Sequence, residues 1–241
     1  MDAASLLAPL AAAPARSALV FDVDGTLAPI VDRPELARVP DETRAELRRL
    51  AGRYLLVACL SGRPGEQAER LVGVEGIRYV GNHGLELDPR GAEIAAEIAR
   101  FRAQVGGLWP VEDKRLSLSL HFREAADETA ARAALEEIAK RARSEGLDAR
   151  WGRKVLEIRP RAGGDKGTAV ATLAREAGAE LGLYAGDDAT DLDAFRGLSE
   201  AGLAYAVRIA VASSEAAPAL LAAADLVVPG PAELRLLLEL L

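Results

Sequence analysis

SALVFDVDGTL, residues 17–27, begins with five small or apolar positions and closes on two aspartates and a glycine. A short apolar run bounded by a turn residue reads as a buried strand. The strand stops at Asp22 and Asp24, and Gly25 gives the chain the freedom to turn sharply after it. Working outward, DETRAELRRL (residues 41–50) sets Leu47 and Leu50 on one helical face, and YLLVACL (residues 54–60) is a second apolar strand. Residues 63–72 read as a helix and residues 77–80 as a third strand. This alternation predicts an α/β fold with a parallel sheet and helices on both faces.

The middle of the chain follows another pattern. RLSLSLHF (residues 115–122) alternates polar and apolar positions, as a strand with one covered face does, so Ser117, Ser119, His121 and Arg123 are expected to share a face. A helix over residues 127–144 and one or two strands within RWGRKVLEIRP (residues 150–160) complete this region. From Lys166 the first pattern returns: a helix to residue 177, the strand LGLYAG (residues 181–186), a helix from Asp191, the strand-like AYAVRIAV (residues 204–211) and a closing helix from Pro231. The expected organisation is a core of residues 1–88 and 161–241, split by a small α/β insertion over residues 89–160. The crossings at residues 88–91 and 161–164 are rich in Gly or Pro and read as hinges. Residues 1–16 read as a helix or frayed extension, because Asp2 and the lack of any basic residue before Arg16 argue against a secretory signal.

The chain has 241 residues, half of them hydrophobic and 28% charged, the balance of an ordinary globular protein. Its net charge of −7, with no basic block, argues against a nucleic-acid partner. The single cysteine, Cys59, excludes an intrachain disulfide and a thiolate metal cage. No apolar run reaches the roughly 18 residues of a membrane span, so a soluble, cytoplasmic protein is expected.

Four segments carry chemistry. Asp22 and Asp24 end the first strand, where ligands of open α/β sheets bind. GDDATD (residues 186–191) brings Asp187, Asp188 and Asp191 to the end of another strand. Carboxylates without His or Cys suit Mg²⁺ better than Zn²⁺. LSGRP (residues 60–64) offers Ser61, Arg63 and backbone N–H groups to a phosphate, and GGDKG (residues 163–167) sets Lys166 at a helix start, where a cation is otherwise unfavourable.

In this order the segments resemble the motifs of the haloacid dehalogenase-like phosphatases. The resemblance implies a Rossmann-like parallel-sheet hydrolase core with an inserted small α/β cap domain. It implies Asp22 as nucleophile, Asp24 as general acid and base, and Ser61 and Lys166 as holders of the phosphoryl oxygens. Mg²⁺ falls to Asp22, Asp24 through its carbonyl, and Asp187, with Asp188 and Asp191 supporting the metal shell and Lys166. GNHGLE (residues 81–86), the EDK segment running into SLSLHFR (residues 112–123) and KVLEIRPRAGGDKG (residues 154–167) resemble trehalose-6-phosphate phosphatases. That narrower resemblance implies sugar contacts from Glu112, Lys114, Arg123, Lys154 and Glu157, with His83 and Glu86 near the entrance.

The expected reaction is Mg²⁺-dependent hydrolysis of trehalose 6-phosphate through an aspartyl-phosphate, the last step of trehalose biosynthesis, with a separate trehalose-6-phosphate synthase as functional partner. The alternatives are a phosphatase for another sugar phosphate, such as sucrose phosphate or mannosylglycerate phosphate, a phosphomutase, and a non-catalytic binder of trehalose phosphate. The last fits poorly with retention of Asp22, Asp24, Lys166 and Asp187.

Overall fold

A computed structural model describes residues 2–31, 33–152, 154–161, 163–213 and 216–241. Helix α1 (Ala3–Ala12) opens the chain, its N-terminus capped by the Asp2 carboxylate, which accepts a hydrogen bond from the Ser5 N–H. Leu7 and Leu10 of α1 are fully buried in the main core. The start of the chain is therefore a docked helix and not a frayed extension. Strand β1 (Ser17–Phe21) follows, then α2 (Asp41–Ala51), β2 (Leu56–Leu60), α3 (Gly65–Val72) and β3 (Arg78–Val80). Strands β1 and β2 are each shorter than their apolar runs in sequence, because Asp22 and Val23 already belong to the turn and Tyr54 and Leu55 close the loop after α2.

The next part of the chain contains α4 (Gly91–Val105), β4 (Glu112–Asp113), β5 (Leu118–His121), α5 (Glu128–Ser144), β6 (Leu147–Gly152) and β7 (Val155–Pro160). The chain then runs through α6 (Lys166–Ala177), β8 (Leu181–Gly186), α7 (Asp191–Glu200), β9 (Tyr205–Val211), α8 (Pro218–Ala223), β10 (Leu226–Val228) and α9 (Pro231–Leu238). Two compact units result: Met1–Gly84 with Gly164–Leu241, and Leu85–Gly163. The divisions lie a few residues outside the expected 89 and 160, since Leu85 is buried in the second unit's own apolar cluster.

The first unit holds a sheet in the order β10-β9-β8-β1-β2-β3, with every described pairing parallel. All five residues of β1 are buried, as a central strand covered on both faces requires. From β1 the chain builds outward to β2 and β3 on one side and later to β8, β9 and β10 on the other. The strand order thus reverses at β1, and the crevice beyond its carboxyl end is where such a sheet binds ligands.

The second unit is an antiparallel sheet, β4-β5-β7-β6. Leu118, Leu120, Leu156, Ile158 and Leu147 meet Ile94, Ile98 and Phe101 of α4 and Leu135 and Ile138 of α5 in one cluster. Strand alternation turns the polar residues to the other face. Helix α4 has no counterpart in the sequence reading, although its apolar residues fall at helical spacing. Among the described residues no helix is long and apolar enough to cross a membrane.

Leu10→Ala tests the docking of α1. Emptying a fully buried leucine site should cost about 2–5 kcal/mol, read as a lower urea midpoint. An unchanged midpoint would mean that α1 contributes nothing to the core.

Candidate functional site

The site grows from the end of β1. The Asp22 N–H donates to the Ala185 carbonyl at 2.9 Å, so the pairing with β8 carries one residue past the strand. The chain then turns: the N–H groups of Leu27 and Ala28 donate to the Val23 carbonyl, and that of Gly25 to the Ala28 carbonyl. Gly25 has φ of +85°, and a Cβ there would lie 2.1 Å from Asp187 Oδ2, so backbone conformation and space both demand glycine. Asp187 is thereby brought against the turn, and the Thr26 hydroxyl donates to its Oδ1 at 3.4 Å.

Lys166 enters from the first turn of α6 and is 2% exposed. Its Nζ donates to Asp22 Oδ1 and to Asp191 Oδ1, both at 2.7 Å. Asp165 caps α6, its carboxylate accepting from the Thr168 N–H while the Thr168 hydroxyl bonds back at the cap. Arg196 of α7 donates to the same Asp165 carboxylate at 2.6 Å. Helices α6 and α7 approach backbone to backbone: a Cβ on Gly197 would lie 2.0 Å from the Gly167 carbonyl oxygen, and one on Gly167 would lie 2.3 Å from that of Asp193. This close approach brings the lysine of one helix to the aspartate that opens the other.

Asp191 is fully buried and its acceptor capacity is used up. Oδ1 takes hydrogen bonds from Lys166 and from the Tyr184 hydroxyl, and Oδ2 takes the backbone N–H groups of Asp187 and Asp188 at 2.8 and 2.9 Å. Asp188 turns aside, its Oδ1 accepting from the Thr190 N–H and hydroxyl. Asp24 also turns aside, gripped by both arms of the Arg63 guanidinium at 2.7 Å each. Ser61 is buried at the end of β2 and its Oγ accepts from the Arg63 N–H.

Asn82 and His83 both have φ near +50°, a region costing non-glycine residues of order 1–3 kcal/mol. The Asn82 N–H donates to the Arg63 carbonyl and the His83 N–H to that of Ser61, and these bonds tie the loop to the turn after β2. The His83 ring lies against Gly62.

Oxygens of Asp22, Asp187 and Asp191 lie within 4.8 Å of one another, all buried. Burial raises Asp22 well above the usual carboxylate range, with Asp191, Asp187 and Asp188 adding to the effect against the pull of Lys166. Burial likewise carries Asp187 to about 7, opposed by its hydrogen bond with Ser213 and reinforced by Asp191 and Asp188. Burial alone would lower Lys166, but Asp191 and Asp22 outweigh it and hold the ammonium charged. The donor set fits a hard divalent cation, which would keep Asp22 and Asp187 ionised. Since Asp191 has no lone pair left, Asp22 and Asp187 are the side chains suited to hold one.

The remaining expected residues belong to the second unit. Glu86, Glu112 and Arg123 are exposed. Lys154, at φ of 57°, donates to Glu128 Oε1. Lys114 Nζ lies 3.9 Å from Glu157 Oε1. Ser119 and His121 lie in β5, Ser117 stands directly before it with its carbonyl accepting from the Lys114 N–H, and Arg123 stands two residues beyond it. A polar row also crosses the strands: Glu112 pairs with Ser119, Ser119 with Glu157, and Glu157 with Arg150. Sequence reasoning missed Arg150, the buried Arg159 and Tyr184. Alternation with Glu157 marks Arg159, whereas nothing local marks Tyr184.

The sequence model of the family described as Trehalose-phosphatase matches residues 20–101 and 109–224. A Trehalose-phosphate phosphatase of Mycolicibacterium paratuberculosis is 38% identical over 198 residues, covering 74% of this chain and 50% of that protein. An uncharacterized glycosyl hydrolase of Mycobacterium tuberculosis is 35% identical over 216 residues, 80% of this chain and 16% of that protein. This chain thus spans half or less of the length of these two relatives. The solved trehalose-6-phosphate phosphatase of Aspergillus fumigatus superposes with a TM-score of 0.61 at 25% identity, covering 99% of this chain and 97% of that one.

The α6–α7 approach makes a sharp prediction. Gly197→Ala puts a methyl into backbone that cannot yield, so stability should fall by about 3 kcal/mol, at the upper end of overpacking costs. Thermal melting reads it, and a shift no larger than that of an exposed alanine substitution would refute the close approach.

Proposed function

The chain belongs to the trehalose-phosphatase family, and from that premise we propose that it is a Mg²⁺-dependent phosphatase hydrolysing trehalose 6-phosphate to trehalose and phosphate. The observation that carries this reading is the buried Lys166 ammonium shared at 2.7 Å between Asp22 and Asp191, beside Asp187. A carboxylate held by a cation at the end of a central strand is suited to attack an electron-rich phosphorus, because the charge that develops on the phosphoryl oxygens meets donors already in position.

In this reading Asp22 forms a bond to phosphorus while the bond to the sugar oxygen breaks, and Asp24 gives that oxygen its proton. The resulting aspartyl-phosphate is opened by water, whose proton Asp24 takes back, so phosphate leaves and both carboxyl groups return to their starting states. Lys166 and Ser61 hold the phosphoryl oxygens, and Asp24, both of whose oxygens accept from Arg63, has to leave that bidentate contact to carry the proton to the leaving oxygen. Asp22, the Asp24 carbonyl and Asp187 are the groups for Mg²⁺, with Asp188 supporting them; when bound, the ion supplies positive charge toward the phosphoryl group. For the sugar, the polar face of the second unit offers Glu112, Lys114 and Glu157, with Arg123, Lys154, His83 and Glu86 as further contacts. Carboxylates there accept from hydroxyls and reject analogues that lack them. The substrate would come from a trehalose-6-phosphate synthase activity.

Phosphate release from a panel of sugar phosphates, with and without Mg²⁺, tests the substrate. Trehalose 6-phosphate should have the highest kcat/KM and a chelator should abolish turnover. Faster hydrolysis of glucose 6-phosphate, sucrose phosphate or mannosylglycerate phosphate would replace the substrate assignment.

Asp22→Asn keeps the shape but removes the nucleophilic charge, so kcat should drop by at least about 10³-fold with normal melting. Near-normal turnover would exclude Asp22 as nucleophile. Glu157→Ala should lower kcat/KM for the disaccharide phosphate by about 10- to 100-fold while sparing a small aryl phosphate. Equal losses on the two substrates would assign Glu157 to the fold.

A further inference from the structure

Tyr184 stands in β8 two residues before Gly186 and is fully buried. Its neighbours Leu183 and Ala185 belong to the main apolar cluster, so strand alternation turns the tyrosine ring to the opposite face of the sheet. There Phe195 of α7 meets it edge to face, with ring centres 6.1 Å apart at 83°. Packing alone would be served as well by phenylalanine, since a buried hydroxyl costs free energy unless it finds a partner. The Tyr184 hydroxyl has one: it donates to Asp191 Oδ1 at 2.6 Å. Burial raises the phenol well above the ordinary tyrosine range, so it stays a donor.

The consequence runs through Lys166. Asp191 Oδ2 is fixed by two backbone N–H groups, which leaves Oδ1 to divide its two lone pairs between the phenol and the ammonium. The ammonium in turn divides itself between Asp191 and Asp22 at equal distances of 2.7 Å. Without the phenol, Oδ1 would have Lys166 as its sole donor and would draw the ammonium toward itself, away from Asp22. We infer that Tyr184 is a positioning residue for phosphoryl transfer, its hydroxyl satisfying Asp191 Oδ1 so that Lys166 remains shared with Asp22. The role rests on the phosphatase reading above. Tyr184 acts through Asp191 and Lys166 and has no part in bonding to substrate.

Tyr184→Phe removes the hydroxyl and keeps the ring. Its kcat should fall about tenfold on both trehalose 6-phosphate and p-nitrophenyl phosphate, the loss expected when a hydrogen bond to a charged group is removed. KM should stay within about twofold, as for an interaction needed in the transition state and not for binding. Phe195→Leu perturbs the same packing but leaves the hydroxyl, and should lower the melting temperature with little change in kcat. In a Lys166→Met background, Tyr184→Phe should lower the residual rate no further. An unchanged kcat in Tyr184→Phe, or a loss matched by Phe195→Leu, would overturn the inference. An activity-independent measurement keeps it distinct from the phosphatase reading: with ¹⁵N-labelled lysine, the Lys166 ammonium resonance, identified by its absence in Lys166→Met, should shift in Tyr184→Phe. If the wild-type protein hydrolyses neither phosphate, the functional reading falls, and an unmoved resonance would then overturn the positioning role as well.

Discussion

A lysine buried between two buried aspartates is the constraint around which the first unit is organised. Taking such charges out of water costs several kcal/mol per ion, and only close geometry with further hydrogen bonds offsets it. Lys166 meets that demand because both of its carboxylate partners are held from behind. Asp22 is fixed by the β1–β8 pairing that reaches its own N–H, and Asp191 by two backbone N–H groups and a phenol. The positive charge is therefore held in one place by the fold.

That arrangement explains otherwise unrelated features of the sequence. Two glycines, Gly167 and Gly197, let α6 and α7 touch through their backbones, and Arg196 pins the capping Asp165 of one helix from the other. A third, Gly25, makes room for Asp187 at the turn after β1. Each is a small residue at a place where any side chain would push apart groups that must stay within hydrogen-bonding distance.

The second unit solves a different problem. Its sheet buries one face under α4 and α5 and carries charged and hydroxyl groups on the other, in a row that crosses Glu112, Ser119, Glu157 and Arg150. Such a row sets the carboxylates of Glu112 and Glu157 on either side of the buried Ser119. Its members come from four strands, so their proximity depends on strand register and has no trace in local spacing.

Much of the fold was legible in the sequence. Apolar runs ending in Asp22 and Gly186 mark central strands of a parallel sheet, because strands buried on both faces have to be apolar throughout. The carboxylates, Ser61 and Lys166 were legible too, as polar residues at strand ends and helix starts. Helix α4 was also written in the spacing of Ile94, Ile98 and Phe101, but without a strong N-cap its start went unread. Only the tertiary structure decided which carboxylate holds what: that Asp24 faces Arg63, that Asp188 faces Thr190, and that Asp191 takes Lys166 together with Tyr184. Residue type and periodicity specify which side chains reach the end of a sheet. The partition of hydrogen bonds among five neighbouring aspartates depends on the approach of α6 to α7 and on the register of β1 with β8, and those are long-range properties that no local pattern encodes.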